Sequence, residues 1–212
     1  MRILFPPRPK NRILAGELPV YERSNRWVAQ RKFNGQRNPI YISSDKQVQF
    51  FNYGAPHANY VPPEQLIREF SVLQLEDGKD YWLDSELLDK KTKDPRYKDR
   101  VILFDVLHVG KHLFGGPTFL ERLAILAEIC RNPTTYESTH GIALQVTEHI
   151  WLAETFDHAF SERFTEILQY DEIEGLVLKR KDSKLDNIGI RKHEVAWQIR
   201  CRKPHAGGNY NF

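Results

Sequence analysis

Cysteine is scarce in this chain, and its two cysteines do not have the spacing of a disulfide framework or a metal site. Cys130 and Cys201 are the only cysteines among 212 residues. They are far apart in sequence, with no Cys-x-x-Cys pair and no histidine at a metal-ligand spacing. This argues against a disulfide framework or a zinc site. The usage fits a reducing compartment, and we expect a cytoplasmic protein.

Long apolar runs are also missing. No window approaches the roughly 18 consecutive apolar residues that a membrane span requires, and the N-terminal MRILFPPRPK contains no long apolar segment. We therefore expect a soluble, unprocessed protein with no membrane partner. The sequence has no internal repeat, low-complexity tract or Gly/Ser linker. With 41% hydrophobic residues, residues 1–212 are predicted to form a single domain with a substantial core.

An excess of one charge sign is missing as well. The chain has 31 Lys and Arg against 28 Asp and Glu, and its pI is about 8.8. Bulk charge therefore decides little about partners, and any nucleic-acid argument depends on where the charges lie.

Alternating or β-branched apolar runs predict most of the secondary structure as strands. The predicted strands are residues 27–33, residues 39–43, VQFFNYG after an SSDK turn, YWLDSELL, VILFDVLHV, EGLVLKR and VAWQIRCRK. This content indicates an α+β fold in which antiparallel sheets are flanked by a few helices.

Three segments have helical patterns. PPEQLIREFSVL begins with proline and spaces its apolar residues as a helix does. Thr118 and Glu121 form a capping box, and the face predicted to be buried after it carries Leu120, Leu123, Ala127 and Cys130. A further helix is predicted from about Thr155, with apolar residues at Phe156, Phe160, Phe164 and Ile167.

The segment KFNGQR contains a candidate nucleophile. Lys32 ends a strand, Gly35 lets the backbone turn close to a ligand, and Arg37 supplies a cation or a phosphate fork. A lysine becomes nucleophilic when burial or neighbouring cations lower its pKa from about 10.4. The segment alone favours the other interpretation, a solvated lysine before a turn.

Two central strands carry the next candidates. In WLDSELLD, Asp84 and Glu86 have the same strand parity, which suggests a metal site or a ribose-hydroxyl acceptor. A solvated sheet face is the alternative. In VILFDVLHVGK, Phe104 is either a core residue or a ring that stacks on a base.

The last two strands carry the remaining charges. Glu174 and Lys179 have opposite parity in DEIEGLVLKR, so they can reach one pocket only if the strand bends, and Gly175 is where a bend is expected. In VAWQIRCRKP, Gln198, Arg200 and Arg202 face away from Trp197, Ile199 and Cys201. Two arginines one strand step apart form a forked anion site, or else an exposed basic edge.

In this order and spacing, the segments together resemble the covalent nucleotidyltransferases, the superfamily of ATP-dependent polynucleotide ligases and mRNA capping enzymes. KFNG with the following QR is similar to Lys-x-Asp-Gly-x-Arg, and FFNYG is similar to the Ser-Arg-Asn-Gly segment of ligases. WLDSELL resembles Phe-x-Asp-Gly-Glu-Leu, and VILFDVLHVGK resembles the motif that follows it in the family. EGLVLK resembles the fourth motif, and WQIRCRK resembles the fifth, which is usually Trp-x-Lys-x-Lys. The resemblance spans roughly residues 27–204 and implies an ATP-grasp-like nucleotidyltransferase, or adenylation, domain.

The resemblance also implies roles for individual residues. Lys32 would attack the α-phosphate of ATP to form lysyl-AMP, and Glu174 would bind Mg²⁺ or Mn²⁺. The remaining implied nucleotide contacts are Gln30 at the adenine edge, Arg37 at the nucleotide or the 5′-phosphate, Glu86 at the ribose, Phe104 stacked on adenine, and Lys179, Arg200 and Arg202 at the phosphates. The partners would be nicked or broken RNA or DNA strands, sealed between a 5′-phosphate and a 3′-hydroxyl.

Several positions depart from the family pattern. Asn34 stands where DNA ligases have Asp, Ser85 replaces a glycine, and Arg200 and Arg202 replace lysines. RNA ligases vary more at the first of these, which favours RNA over DNA. Ten residues follow Arg202, so we expect no OB-fold. We also expect a monomer, which a separate strand-clamping module could assist.

Two other functions remain open from sequence. An mRNA guanylyltransferase would take its label from GTP instead of ATP. A non-catalytic nucleic-acid-binding protein would keep the fold without the chemistry. The joint presence of Lys32, Glu86 and Glu174 favours an enzyme.

Overall fold

The computed structural model describes residues 3–52, 55–56, 60–89, 92–131, 138–139, 142–185 and 193–204. The end of the predicted VQFFNYG strand and the C-terminal HAGGNYNF lie outside these residues. None of the described helices is long and apolar enough to cross a membrane.

Strands make up most of the described structure. They are β1 Arg8–Ile13, β2 Trp27–Phe33, β3 Gln36–Arg37, β4 Ile40–Ile42, β5 Val48–Asn52, β6 Ala55–Pro56, β7 Tyr81–Leu88, β8 Arg100–Val109, β9 Ser138–Thr139, β10 Ala143–Gln145, β11 Ile150–Leu152, β12 Thr155–Phe156, β13 Ile173–Arg180 and β14 Glu194–Arg202. The α-helices are α1 Leu18–Arg23, α2 Glu64–Glu69, α3 Phe119–Ile129 and α4 Phe160–Glu166. Short 3-10 turns cover Ala15–Glu17, Phe70–Val72, Pro95–Tyr97 and Ile167–Gln169.

The strands form two sheets. The first has the order β1-β14-β13-β2-β12, and the second has the order β6-β5-β4-β7-β8-β11-β10-β9, with β3 paired to β7. Most neighbours are antiparallel, but β1 pairs with β14 and β11 pairs with β8 in parallel. The predicted α+β class is confirmed, and each sheet is mixed because of these two pairings.

Two hydrophobic cores hold the sheets and helices together. One lies against the second sheet and includes Trp82, Leu103 and Leu126 of α3. The other joins the first sheet, α1 and α4 to part of the second sheet, and includes Leu178, Phe160 and Trp151. Burial of a large apolar side chain contributes about 1.5–3 kcal/mol, so these cores fix the two sheets that carry the candidate site residues.

Helix α3 begins as predicted but buries a different face. The Thr118 hydroxyl accepts from the Glu121 N–H, and the Glu121 carboxylate accepts from Thr118. Leu120 is 44% exposed, and the buried positions are Phe119, Arg122, Leu126 and Ile129. The predicted face was one residue out because the buried Arg122 does not register in an apolar pattern. Cys130 is buried, as expected.

The helix predicted from about Thr155 starts five residues later than expected, at Phe160. Thr155 and Phe156 form β12, paired with Gln30 and Ala29 of β2. Helix α4 then begins at Phe160, where the Glu22 carboxylate accepts from the Ala159 and Phe160 N–H groups. The aromatic spacing misled the prediction because Phe156 is buried from a strand.

Candidate active site

A cavity of about 710 Å³ lies between the two sheets. Strands β1, β2, β13 and β14 of the first sheet line it on one side, and β3, β7 and β8 of the second sheet line it on the other. All nine site residues predicted from the sequence line this cavity: Gln30, Lys32, Arg37, Glu86, Phe104, Glu174, Lys179, Arg200 and Arg202. The structure therefore brings together residues that are up to 172 positions apart in sequence, from Gln30 to Arg202.

The Lys32 side chain is held by a carboxylate. Its Nζ donates to Oε2 of Glu174 at 2.7 Å, and the two side chains are 22% and 18% exposed. Arg202 Nε lies 3.4 Å from the same oxygen. One carboxylate oxygen thus faces two cations, and Lys32 is not the solvated lysine that its segment alone suggested.

Gly175 lies at an irregularity of β13, where the sequence predicted a bend. It lies opposite both Lys32 and Arg202 in the sheet, and the pairing with β2 shifts register between Ile173 and Gly175. A Cβ at Gly175 would lie 2.0 Å from the Cys201 carbonyl oxygen. The close approach and the bulge allow Glu174 and Lys179 to reach one cavity despite their opposite parity.

Gly35 brings Lys32 close to β7. A Cβ at this position would lie 2.4 Å from the Leu87 carbonyl oxygen and 2.9 Å from Glu86 Cγ. The backbone between β2 and β3 can pass this close to β7 only without a side chain.

The carboxylates of β7 have different surroundings. Asp84 is buried and accepts from Arg37 Nε at 3.0 Å and from Arg37 Nη2, while Arg37 Nη1 donates to the Pro7 carbonyl at 2.7 Å. Burial raises the pKa of Asp84, against the opposing effect of the Arg37 cation. Glu86 lines the cavity, and burial raises its pKa to about 7, although Lys32 and Arg37 favour its charged form. Asp84 therefore anchors Arg37, and Glu86 remains available to a ligand.

Phe104 presents its ring to the cavity with cations beside it. Arg37 Cζ lies 5.5 Å and Lys179 Nζ lies 4.9 Å from the ring centroid. Lys179 Nζ also lies 4.6 Å from the Phe119 centroid and donates to the Phe104 carbonyl at 3.3 Å. Burial lowers the pKa of Lys179 to about 8. Phe104 is half-buried and lines the cavity, and cation–π contacts fix its position.

Gln30 offers one acceptor to the cavity. Its Nε2 donates to Thr155 Oγ1 at 3.0 Å and to the Phe104 carbonyl at 3.5 Å. Its Oε1 is buried and has no hydrogen-bond partner among the described residues. A buried acceptor without a partner costs about 1–3 kcal/mol, and a ligand donor would remove that cost.

The side chains of β14 alternate between the cavity and a core as predicted, except at Trp197. Gln198, Arg200 and Arg202 line the cavity, and Ile199 and Cys201 join the core beneath the first sheet. Trp197 instead packs against the other core, with Arg122 Cζ 5.9 Å from its ring. Trp197 therefore departs from the parity prediction, and it lies where the β1–β14 register shifts. Burial raises the pKa of Cys201 to about 11, which disfavours a thiolate nucleophile.

Several residues at the site were missed from sequence. Arg8 of β1 lines the cavity, as does Arg31, whose Nη1 is bound by Glu154 at 2.8 Å and the Ile142 carbonyl at 3.1 Å. The basic run RPKNR was the available signal for Arg8, but its parallel pairing with β14 is not local in sequence. Next to Lys179, Asp105 and Arg122 form a fully buried ion pair, with Nε and Oδ1 2.9 Å apart.

Carboxylates suited to a divalent cation are present at the site. Glu86 and Glu174 both line the cavity beside Lys32, and hard oxygen donors of this kind fit Mg²⁺ or Mn²⁺ completed by phosphate oxygens. A separate group, Glu69, Glu148 and His149, also carries metal-ligating side chains. There, Glu69 accepts from the His149 backbone N–H at 2.8 Å and bonds His149 Nδ1 at 2.8 Å, so it ties α2 to the turn before β11.

No protein-family model matches the chain, and no curated protein matches it in sequence. Solved structures do match it. The ligase domain of LigD from M. tuberculosis gives a TM-score of 0.62 at 18% identity, over 94% of this chain and 59% of that one. Mycobacterial DNA ligase D complexed with ATP and MES gives 0.62 at 16% identity, over 94% and 60%. A Lig E DNA ligase gives 0.54 at 13% identity, over 94% and 70%.

The chain spans about three fifths of the length of the first two structures that it matches. At these identities the likeness establishes the fold, and the activity has to be argued from the site. The structure therefore confirms the fold implied by the sequence motifs: the chain shares its fold with the LigD ligase domain and with mycobacterial DNA ligase D.

Proposed function

We propose that the chain is the catalytic part of an ATP-dependent polynucleotide ligase, which forms lysyl-AMP on Lys32 and seals a 5′-phosphate to a 3′-hydroxyl. The observation that carries the proposal is the position of Lys32. It lies in a cavity between two sheets, paired with Glu174 and surrounded by carboxylates, arginines and an aromatic ring.

The first chemical step uses the amine of Lys32. The ammonium group must lose one proton, and Glu174 Oε2, 2.7 Å away, is placed to accept it. Lys32 Nζ then attacks the α-phosphorus, the bond from that phosphorus to the bridging oxygen breaks, and pyrophosphate leaves. In the following steps AMP moves to a strand 5′-phosphate, and a 3′-hydroxyl displaces it.

The phosphate charges require compensation from cations in the cavity. Lys179, Arg200 and Arg202 line it and supply fixed positive charge where the transition state becomes more negative. Glu86 and Glu174 would hold Mg²⁺ or Mn²⁺, which when bound withdraws charge from the phosphate oxygens.

The base contacts favour ATP. Phe104 offers a ring for stacking. The partnerless Oε1 of Gln30 can only accept a hydrogen bond, and the N6 amino group of adenine donates, whereas guanine has the acceptor O6 at that position. This polarity supports an adenylyltransferase over the guanylyltransferase alternative.

The choice between RNA and DNA strands remains a prediction. Asn34, the departure that favours RNA, has its backbone N–H on the Glu172 carbonyl at 2.7 Å and its Nδ2 on the Asp171 carbonyl at 3.5 Å. Asn34 is not among the described residues that line the cavity. Asn34 therefore supports a preference for RNA only through the motif comparison, and the sealing of RNA and DNA nicks tests that preference.

Sealing of defined nicks tests this function. Nicked duplexes with RNA or DNA on each side of the break are incubated with the protein, ATP or GTP, and Mg²⁺ or Mn²⁺. We expect ATP-dependent sealing of at least one nick, with RNA strands preferred. A protein that seals none of these nicks and takes no label from either α-labelled nucleotide would contradict the proposal.

A further inference from the structure

Positive charge is concentrated at one edge of the first sheet. Strands β1 and β14 together carry five cationic side chains, Arg8, Lys10, Arg12, Arg200 and Arg202, against the single carboxylate of Glu194. The whole chain has a formal net charge of only +3. With five cations and one carboxylate, this edge has a formal net charge of +4, which exceeds that of the whole chain.

Four of these cations share the face of the sheet that lines the cavity. Arg8, Arg200 and Arg202 line the cavity directly. Arg12 is exposed and lies directly opposite Arg200 in the parallel β1–β14 pairing. Residues paired across neighbouring strands project to the same side of a sheet. We call Arg8, Arg12, Arg200 and Arg202 the arginine strip.

The strip brings like charges close together. Burial, together with the neighbouring Arg37 and Arg200 cations, lowers the pKa of Arg8, and Glu194 opposes that effect. Arg202 shares Glu174 with Lys32, and Arg37 already uses Asp84. Cations held together in this way attract an anion that carries several charges.

The strip leads from Lys32 to the open edge of the sheet. In the described strand order β1 is outermost, and it is separated from β2 by β13 and β14. Three strand spacings of about 4.8 Å each cover about 14 Å. One strand of a duplex presents a phosphate about every 3.4 Å along the helix axis, so about four phosphates fit this length.

We propose that the arginine strip binds the phosphate backbone of a nucleic-acid strand and leads its terminal phosphate towards Lys32. This inference rests on the proposed ligase function and identifies β1, which lies before the recognised motifs, as part of the strand-binding surface. Arg8 serves at the cavity and Arg12 at the open edge.

Strand binding without nucleotide tests the inference separately from the chemistry. The probe is a fluorescent nicked duplex with a 5′-phosphate at the nick, titrated with the full chain at several salt concentrations. The variants are Arg12→Ala, Arg12→Lys and the double variant Arg8→Ala/Arg12→Ala. The matched control is Arg68→Ala on α2, whose side chain is 72% exposed and pairs only with Glu64 among the described contacts.

The readout is the salt dependence of duplex binding, measured as the slope of log K against log salt concentration. Each phosphate contact contributes about 0.9 to the slope of log K against log salt concentration. Arg12→Ala should reduce the slope by about 0.9 and the double variant by about 1.8. Arg12→Lys should keep the wild-type slope because it retains the charge, and Arg68→Ala should match the wild type.

Two outcomes would overturn the proposal. One is an Arg12→Ala slope and affinity equal to those of Arg68→Ala. The other is that the strip variants lose as much affinity for inorganic triphosphate as for the nicked duplex, which would assign the strip to free polyphosphate. Thermal unfolding of each variant excludes misfolding as the cause. Label transfer from ATP is measured without strands, so failure of the strip and failure of the ligase proposal give different results.

Discussion

Lys32 Nζ lies 2.7 Å from Glu174 Oε2, and this ion pair joins two segments 142 residues apart in sequence. The contact depends on Gly175, which lies opposite Lys32 and packs against the Cys201 carbonyl. The pair orients the candidate nucleophile in the cavity and gives its ammonium group a proton acceptor.

Substitution of Glu174 tests that relationship. Glu174→Gln keeps the size of the side chain but removes the charge that faces Lys32 and Arg202, so we expect adduct formation from ATP to slow by about 100-fold or more. The rate of labelled adduct formation across a Mg²⁺ titration measures this. Glu162→Gln, an exposed position of α4, is the control, and equal rates for the two variants would contradict the assignment.

The ring of Phe104 is expected to contribute to nucleotide affinity. Loss of base stacking costs about 1–3 kcal/mol, so Phe104→Leu should weaken ATP binding by about 5-fold to 150-fold. Calorimetric titration with ATP provides the measurement. Phe114→Leu is the control, because Phe114 is also half-buried but stacks on His112 with centroids 4.9 Å apart. ATP affinity unchanged in Phe104→Leu would exclude stacking.

Gly175 is expected to tolerate no side chain. A Cβ there would lie 2.0 Å from the Cys201 carbonyl oxygen, so Gly175→Ala forces strands β13 and β14 apart. We expect the free energy of unfolding to fall by about 1–3 kcal/mol or more. Gly16→Ala is the matched control, since no atom lies within 4 Å of its added Cβ, and it should be neutral or stabilising by up to about 1 kcal/mol. Urea unfolding of both variants measures the difference, and equal stabilities would show that β14 does not pack as described.

The pKa of Glu86 predicts a pH-dependent stability. Burial raises this pKa from 4.5 to about 7, so between these values the folded protein holds a proton that the unfolded chain has released. Linkage then requires the free energy of unfolding of the wild type to fall as pH rises through this window. Glu86→Gln does not titrate, so its stability relative to the wild type should increase from about pH 4.5 to about pH 7 and level off above that. Urea unfolding at several pH values tests this, and a constant difference would mean that Glu86 ionises normally.

The sequence was most informative where a motif lay on a single alternating strand, although Trp197 is an exception. Arg200 and Arg202 were correctly assigned to one face from strand parity, and the bend at Gly175 followed from the opposite parity of Glu174 and Lys179. These features depend on neighbours within a few residues. All nine predicted residues lie in one cavity because strands of both sheets line it.

Features that depend on distant pairing were missed. The parallel pairing of β1 with β14 places Arg8 at the cavity, and no pattern within RPKNR reveals it. The buried face of α3 was displaced because Arg122 occupies a core position through its ion pair with Asp105. Helix α4 was extended too far because Phe156 is buried from a strand that pairs with β2. In each case a contact between separate segments decided the structure.

Covalent transfer of label from ATP tests the central claim most directly. The protein is incubated with α-labelled ATP and a divalent cation, and the label on protein is measured in the wild type, Lys32→Ala and Lys32→Arg. We predict an acid-labile, base-stable adduct on the wild type, with no label on either variant, because a phosphoramidate forms only on the Lys32 amine. An adduct that survives Lys32→Ala would contradict the assignment of the nucleophile, and a wild type that takes no label would contradict the proposed ligase chemistry.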